Sequence, residues 1–254
     1  MATRYAVSGA GPGLVLIHGV GLDHSMWAPA LPRLERDFTV VRYDLAGHGA
    51  TPAVGTSIGL EEFVEQLREL LDRLGMARPS VLGFSLGGII ARGWAAAHPE
   101  RAEKLVVLCS IAPRSTSQRE AIGGRLRQLE TLGVGATVDA AIERWFTPAF
   151  IRSRPEVIAA TRATLLGNVG PGYPAAYRFF ATADEVIEGL GARIRCPLLA
   201  ITAEQDVGST PEMAARIAVA SPLGRAHVVP GLRHMAIVES PDAVLDPILE
   251  FLLA

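Results

Sequence analysis

Ser80-Val81-Leu82-Gly83-Phe84-Ser85-Leu86-Gly87-Gly88 is the stretch that decides the fold of this chain. An apolar run of strand length ends at Phe84, and a helix-like stretch opens at Leu86 and continues to Ala97. A strand that turns directly into a helix holds Ser85 in a strained position with its hydroxyl above the sheet edge. Gly83 and Gly87 leave room for the tight turn and for close packing of strand and helix. The N–H of Leu86, at the positive end of that helix, points at whatever reacts at the serine. Five letters alone are a weak signal; the strand-to-helix setting makes them a strong one.

Outward from this turn, apolar runs of strand length recur at Leu14–His18, Thr39–Tyr43, Lys104–Ser110, Pro197–Thr202 and Arg225–Val229. Helical patterns lie between most of them. Leu60, Phe63, Val64, Leu67, Leu70, Leu71 and Leu74 share one stripe at helical spacing, and Met213–Ala220 and Ala243–Leu253 are further candidates. Continuous apolar strands alternating with helices predict an α/β fold with a mostly parallel sheet covered on both faces. From Ser115 to Gly189 no strand pattern occurs; Arg119–Leu132, Thr137–Trp145, Glu156–Leu166 and Pro174–Thr182 read as short helices. The expected organisation is therefore a core of residues 1–114 and 190–254, with a helical cap of residues 115–189 inserted between two strands and lying over Ser85.

Composition narrows the function. The 254 residues suffice for one large domain, 49% are hydrophobic and 20% charged, and the net charge is −2. That balance gives no electrostatic case for nucleic acid or for an anionic membrane as a partner. No apolar run reaches the ~18 residues of a membrane span, and the first residues carry no secretory leader pattern, so a cytoplasmic protein is expected. Cys109 and Cys196 both sit beside strand-like runs and read as buried reduced thiols. The expected partner is a small molecule; oligomeric state cannot be read from the sequence.

A serine hydroxyl needs a base within reach and a third group to orient that base. Of six histidines, His234 lies in the loop Pro230–Met235 after the last strand run, the place where parallel sheets build sites. His227 lies inside that strand, and His98 ends the helix that follows Ser85. Asp206, in the loop after Leu198–Ile201, is the expected acid, with Glu204 as its competitor. The order Ser85, Asp206, His234 is the one this type of site requires. Two N–H donors must hold a developing oxyanion: Leu86, and Val20 in His18-Gly19-Val20-Gly21, with His18 orienting that loop.

With His18–Gly21, Asp44-Leu45-Ala46-Gly47-His48-Gly49, Gly83–Gly87, Asp206 and Gly231–Met235 in this order, the chain resembles the α/β-hydrolase superfamily, serine branch. The resemblance implies about eight strands, a helical cap, a Ser-His-Asp triad and neither cofactor nor metal. Within the superfamily, Glu143–Phe150, Gly172-Tyr173 and Arg195-Cys196-Pro197 look similar to 3-oxoadipate enol-lactonases. An ester or lactone hydrolase is therefore expected. A general carboxylesterase, a carbon–carbon bond hydrolase acting on a ring-cleavage product, a perhydrolase and, more distantly, a ligand receptor of this fold stand as alternatives. Trp145, Arg144 and His24 are the candidate substrate contacts, with Arg114 and Arg125 as rivals of Arg144 for a distal carboxylate.

Overall fold

The computed structural model describes residues 2–53, 55, 57–168 and 170–254. Seven strands are formed among them: β1 (Tyr5–Ser8), β2 (Gly13–Ile17), β3 (Thr39–Tyr43), β4 (Ser80–Phe84), β5 (Leu105–Leu108), β6 (Leu198–Ala203) and β7 (Gly224–Val229). They lie in the order β1-β3-β2-β4-β5-β6-β7, and only β1 runs antiparallel. The six runs read from sequence are all strands, while β1 is additional. It is four residues long, too short to read as a run of strand length, and pairs only with β3 at the sheet edge. The family resemblance implied about eight strands; the described residues make seven.

Alternating side chains of each strand enter different cores, as the two-residue strand period requires. Val15, Ile17, Val81, Leu105 and Val107 pack on one face, against α1 (Leu60–Arg73) and α2 (Leu86–Ala97). Leu14, Leu16, Leu82, Val106 and Leu108 pack on the other, with Trp27 and Leu34. With both faces buried, β2, β4, β5 and β6 are apolar almost throughout, which is why they read as continuous runs, whereas the edge strand β7 is largely exposed and includes Arg225 and His227. Cys109 and Cys196 are buried free thiols.

Between β5 and β6 the chain is helical: α3 (Thr116–Leu132), α4 (Gly135–Trp145), α5 (Pro148–Ser153), α6 (Pro155–Leu166) and α7 (Gly172–Thr182). The first of these starts where its cap dictates. Ser115 Oγ accepts from Gln118 N at 3.3 Å and Gln118 Oε1 accepts from Ser115 N at 2.9 Å, a reciprocal pair that satisfies two orphan donors. The chain returns to the core at β6, passes through α8 (Pro211–Val219) to β7 and ends in α9 (Pro241–Leu253), which packs on the face shared by Leu14 and Leu16. No described helix is long and apolar enough to cross a membrane.

Candidate active site

The loops at the carboxyl ends of β2, β4, β5, β6 and β7 converge. Ser85 follows β4 directly and has φ 54° and ψ −113°, a backbone conformation that side chains rarely adopt. Three hydrogen bonds hold it there. Its N–H donates to Leu108 O at 2.9 Å, and its carbonyl accepts from Gly88 N at 3.0 Å and from Ser110 Oγ at 2.7 Å. The glycines are required by contact: a Cβ on Gly83 would lie 2.1 Å from Gly87 O, and one on Gly87 2.2 Å from Ile17 O. Ser85 and Cys109 are the described non-glycine residues with positive φ, at the ends of adjacent strands.

Asp206 and His234 meet across the ends of β6 and β7. His234 Nδ1 and Asp206 Oδ2 are 2.6 Å apart, and both side chains are buried. The other carboxylate oxygen accepts from Gly208 N and Ser209 N, each at 2.9 Å. With the carboxylate as acceptor, Nδ1 carries the proton and Nε2 keeps its lone pair. Among the described residues no hydrogen bond joins Ser85 to His234. Both line one cavity, the looser arrangement common before substrate binds. Glu204, the competing acid, is exposed and accepts from Gly231 N at 2.8 Å, so it braces the loop that carries His234.

Behind this pair lies Cys109, fully buried, with its sulfur close to both Asp206 and His234. Burial first, and then the Asp206 charge, raise its thiol well above the ordinary value, so it stays protonated. Asp206 is taken up by the imidazole and two amides, an arrangement that orients the ring without an ion.

The first-strand loop is ordered by His18. Its Nε2 accepts from Leu45 N at 2.9 Å, so Nδ1 is the protonated nitrogen and donates to Gly19 O at 2.8 Å. Burial lowers its pKa and keeps it neutral. A Cβ on Gly19 would come within 3.2 Å of Ser85 Cβ, which brings the His18–Gly21 loop against the serine, and Val20 lines the cavity. Leu86 opens α2, where backbone N–H groups have no partner within the helix.

The cavity is floored by Val20, Ser85, Asp206 and His234. Its roof comes from the inserted helices, including Arg125 on α3, Arg144 and Trp145 on α4, and Tyr173 and Tyr177 on α7. Trp145 also packs on His234, with ring centroids 5.9 Å apart. The cavity between floor and roof has a volume of about 110 Å³.

Two of the candidate substrate contacts, Arg144 and Trp145, thus face the cavity, and His24 requires a correction. Its ring Nδ1 lies 2.6 Å from Asp44 Oδ1, which also accepts its backbone N–H at 2.9 Å, and it does not line the cavity. Proximity in sequence to the Val20 loop is what made it a candidate. The buried carboxylate of Asp44, which also accepts from Ala50 N, is what claims it. Burial pushes that carboxyl up, and the hydrogen bonds from Ala50 and His24 outweigh it and leave it below its ordinary value. Arg114 lines the cavity but is tied to Asp184 by an ion pair of 2.9 Å and to Phe180 O at 2.9 Å.

The His234 loop and the end of α4 are joined. Arg233 Nη1 donates to Glu143 O at 2.5 Å and to Phe146 O at 3.2 Å, and Met235 N donates to Trp145 O at 2.9 Å. Glu239 accepts from the N–H of Thr147 at 3.0 Å and from its hydroxyl. No sequence pattern signals this seam, because its acceptors are mostly backbone carbonyls.

Comparison with known proteins agrees with this fold. Residues 14–246 match the alpha/beta hydrolase family. The chain is 32% identical over 244 residues to the (E)-2-((N-methylformamido)methylene)succinate hydrolase of Acinetobacter baylyi, covering 95% of this chain and 90% of that enzyme. It is 28% identical over 213 residues to 3-oxoadipate enol-lactonase 2 of the same organism, covering 83% and 78%. The crystal structure of the enol-lactonase from Burkholderia xenovorans LB400 superposes with a TM-score of 0.91 at 29% identity, covering 99% of this chain and 96% of that one.

Proposed function

The chain belongs to the α/β-hydrolase family and is a hydrolase, and from that premise we propose that it cleaves a small carboxylate-bearing ester or lactone through an acyl-enzyme on Ser85. The observation that carries the reading is the 2.6 Å Asp206–His234 pair sharing one cavity with a serine on a strained strand-to-helix turn.

In this mechanism His234 Nε2 takes the Ser85 proton as Oγ bonds to the substrate carbonyl carbon. The oxyanion is held by the N–H groups of Leu86 and Val20. The carbonyl re-forms, the bond to the leaving oxygen breaks, and His234 returns the proton to that oxygen. Water enters, loses a proton to His234 and attacks the acyl carbon. The acid departs and Ser85 regains its proton. Asp206 fixes the imidazole tautomer and stabilises its cation. Residues 115–189 act as the lid that excludes bulk water, with Trp145 as an apolar wall and Arg144 reading a carboxylate on the substrate.

The similarity to enol-lactonases in sequence and in structure supports 3-oxoadipate enol-lactone as the first substrate to test. A second reading rests on the relative named for an N-methylformamido-methylene-succinate. It is 32% identical over 95% of this chain, against 28% over 83% for 3-oxoadipate enol-lactonase 2. The test follows both substrates by absorbance with the purified protein and with Ser85→Ala. Turnover of one substrate, falling at least 10³-fold in the variant, is the expected result. Undiminished turnover by Ser85→Ala would remove the serine from the mechanism.

A further inference from the structure

The roof of the cavity holds more positive charge than its neighbours neutralise. Three arginines line it, and they differ in how they are held. Arg114 is structural: Asp184 takes its side chain and its backbone N–H, Phe180 O accepts from it, and the Phe180 ring lies 4.9 Å from the guanidinium. Arg125 and Arg144 are half-buried, on the facing helices α3 and α4, and neither makes a hydrogen bond or ion pair among the described residues. The nearest acidic neighbour of Arg144 in sequence, Glu143, is exposed and forms no ion pair there. The carboxylate on the cavity floor, Asp206, is already engaged by His234 and two amides.

Two guanidiniums that repel each other in a partly dry cavity are costly to keep. Burial first, and then the Arg125 charge, hold Arg144 below its ordinary value. A surface arginine would swing into water. These two are kept beside Tyr173 and Tyr177, whose hydroxyls add neutral donors and no counter-charge. The missing partner is therefore the ligand, and the planar donor fork of arginine fits carboxylate oxygens.

We infer that Arg125 and Arg144 form a two-anion subsite, so that the substrate carries two carboxylates in addition to the carbonyl attacked at Ser85. This rests on the hydrolase reading above for the position of that carbonyl, and it goes further by favouring the second of the two substrates named there: a lactone of a six-carbon diacid keeps only one free carboxylate, whereas a substituted succinate keeps both. The carboxylates lie toward the roof and the reacting carbonyl toward the floor.

Titration calorimetry on the intact protein tests the subsite without any turnover. The probes are butanedioate, pentanedioate and hexanedioate, each against the monocarboxylate of equal chain length. At least one diacid binds fivefold or more tightly than its monoacid, and both Arg125→Gln and Arg144→Gln abolish that preference. Arg178→Gln, which removes an exposed arginine paired with Glu130 away from the cavity, leaves the preference intact. Thermal midpoints confirm that each variant is folded, and Arg144→Lys, which keeps the charge, retains part of the preference. A preference below fivefold for every pair, or one that survives both glutamine substitutions, overturns the inference. So does monoacid binding that depends on both arginines, because one carboxylate would then fill the subsite. Loss of Ser85 dependence in the turnover assay with diacid selectivity intact would instead count against the catalytic reading alone.

Discussion

At the scale of single residues, the site is a set of atoms whose alternatives have been removed. Asp206 has four lone-pair directions and three of them are met by fixed donors, so His234 has one place to sit. Asp206→Asn should therefore be informative without disturbing the fold. The amide oxygen can keep both backbone donors, which turns its NH₂ toward His234 Nδ1. That nitrogen must then accept, the proton moves to Nε2, and the base is lost to the serine. A fall in kcat of about 10⁴ is expected, with near-UV circular dichroism unchanged. A fall of less than tenfold would mean that Glu204 or another acid substitutes. The positions of Ser85, Asp206 and His234 were legible in sequence because each follows an apolar strand run, and strand ends are where side chains converge. His24 was misplaced for the opposite reason. Its loop is legible, but the direction of its ring is set by Asp44, twenty residues away.

Elements behave differently. The central parallel strands announce themselves because they are buried on both faces, whereas β1 is only four residues long, is partly exposed and has no second neighbour. Pro148 opens α5, a short helix between two of those read from the sequence. Its missing N–H costs nothing in the first turn, and Thr147 caps the start by accepting from Phe150 N at 3.2 Å. The seam between α4 and the His234 loop is an element-scale device. Arg233→Ala removes two charge-assisted bonds flanking His234 and should lower kcat about tenfold. An unchanged kcat would show that packing of Trp145 on the imidazole is sufficient to hold it.

For the molecule as a whole, acid is the expected weakness. His18 and His48 are both buried, and burial lowers both, His48 to about 3. The Nε2 of His48 has no partner among the described residues. In the unfolded chain these rings titrate near 6.5. Below that pH the unfolded state takes up protons that the folded state refuses, so stability falls with falling pH, by about 1.4 kcal/mol per unit for each ring. Asp44 acts only at lower pH, since its carboxyl lies below its ordinary value of 3.8. Urea midpoints at pH 7.5 and 5.0 should show this slope, and His48→Gln should reduce it. An equal slope in the variant would place the acid sensitivity elsewhere. What sequence could not supply at this scale is the convergence of Arg125 and Arg144. They are separate surface-like residues on two helices until the chain is folded. The hydrogen bonds between Arg233, Met235 and the end of α4 carry one more consequence. A roof that lifts at this point carries the imidazole away with it. An enzyme opened in this way would be one whose serine has no base beside it, so solvent entering through the opening would find nothing ready to react.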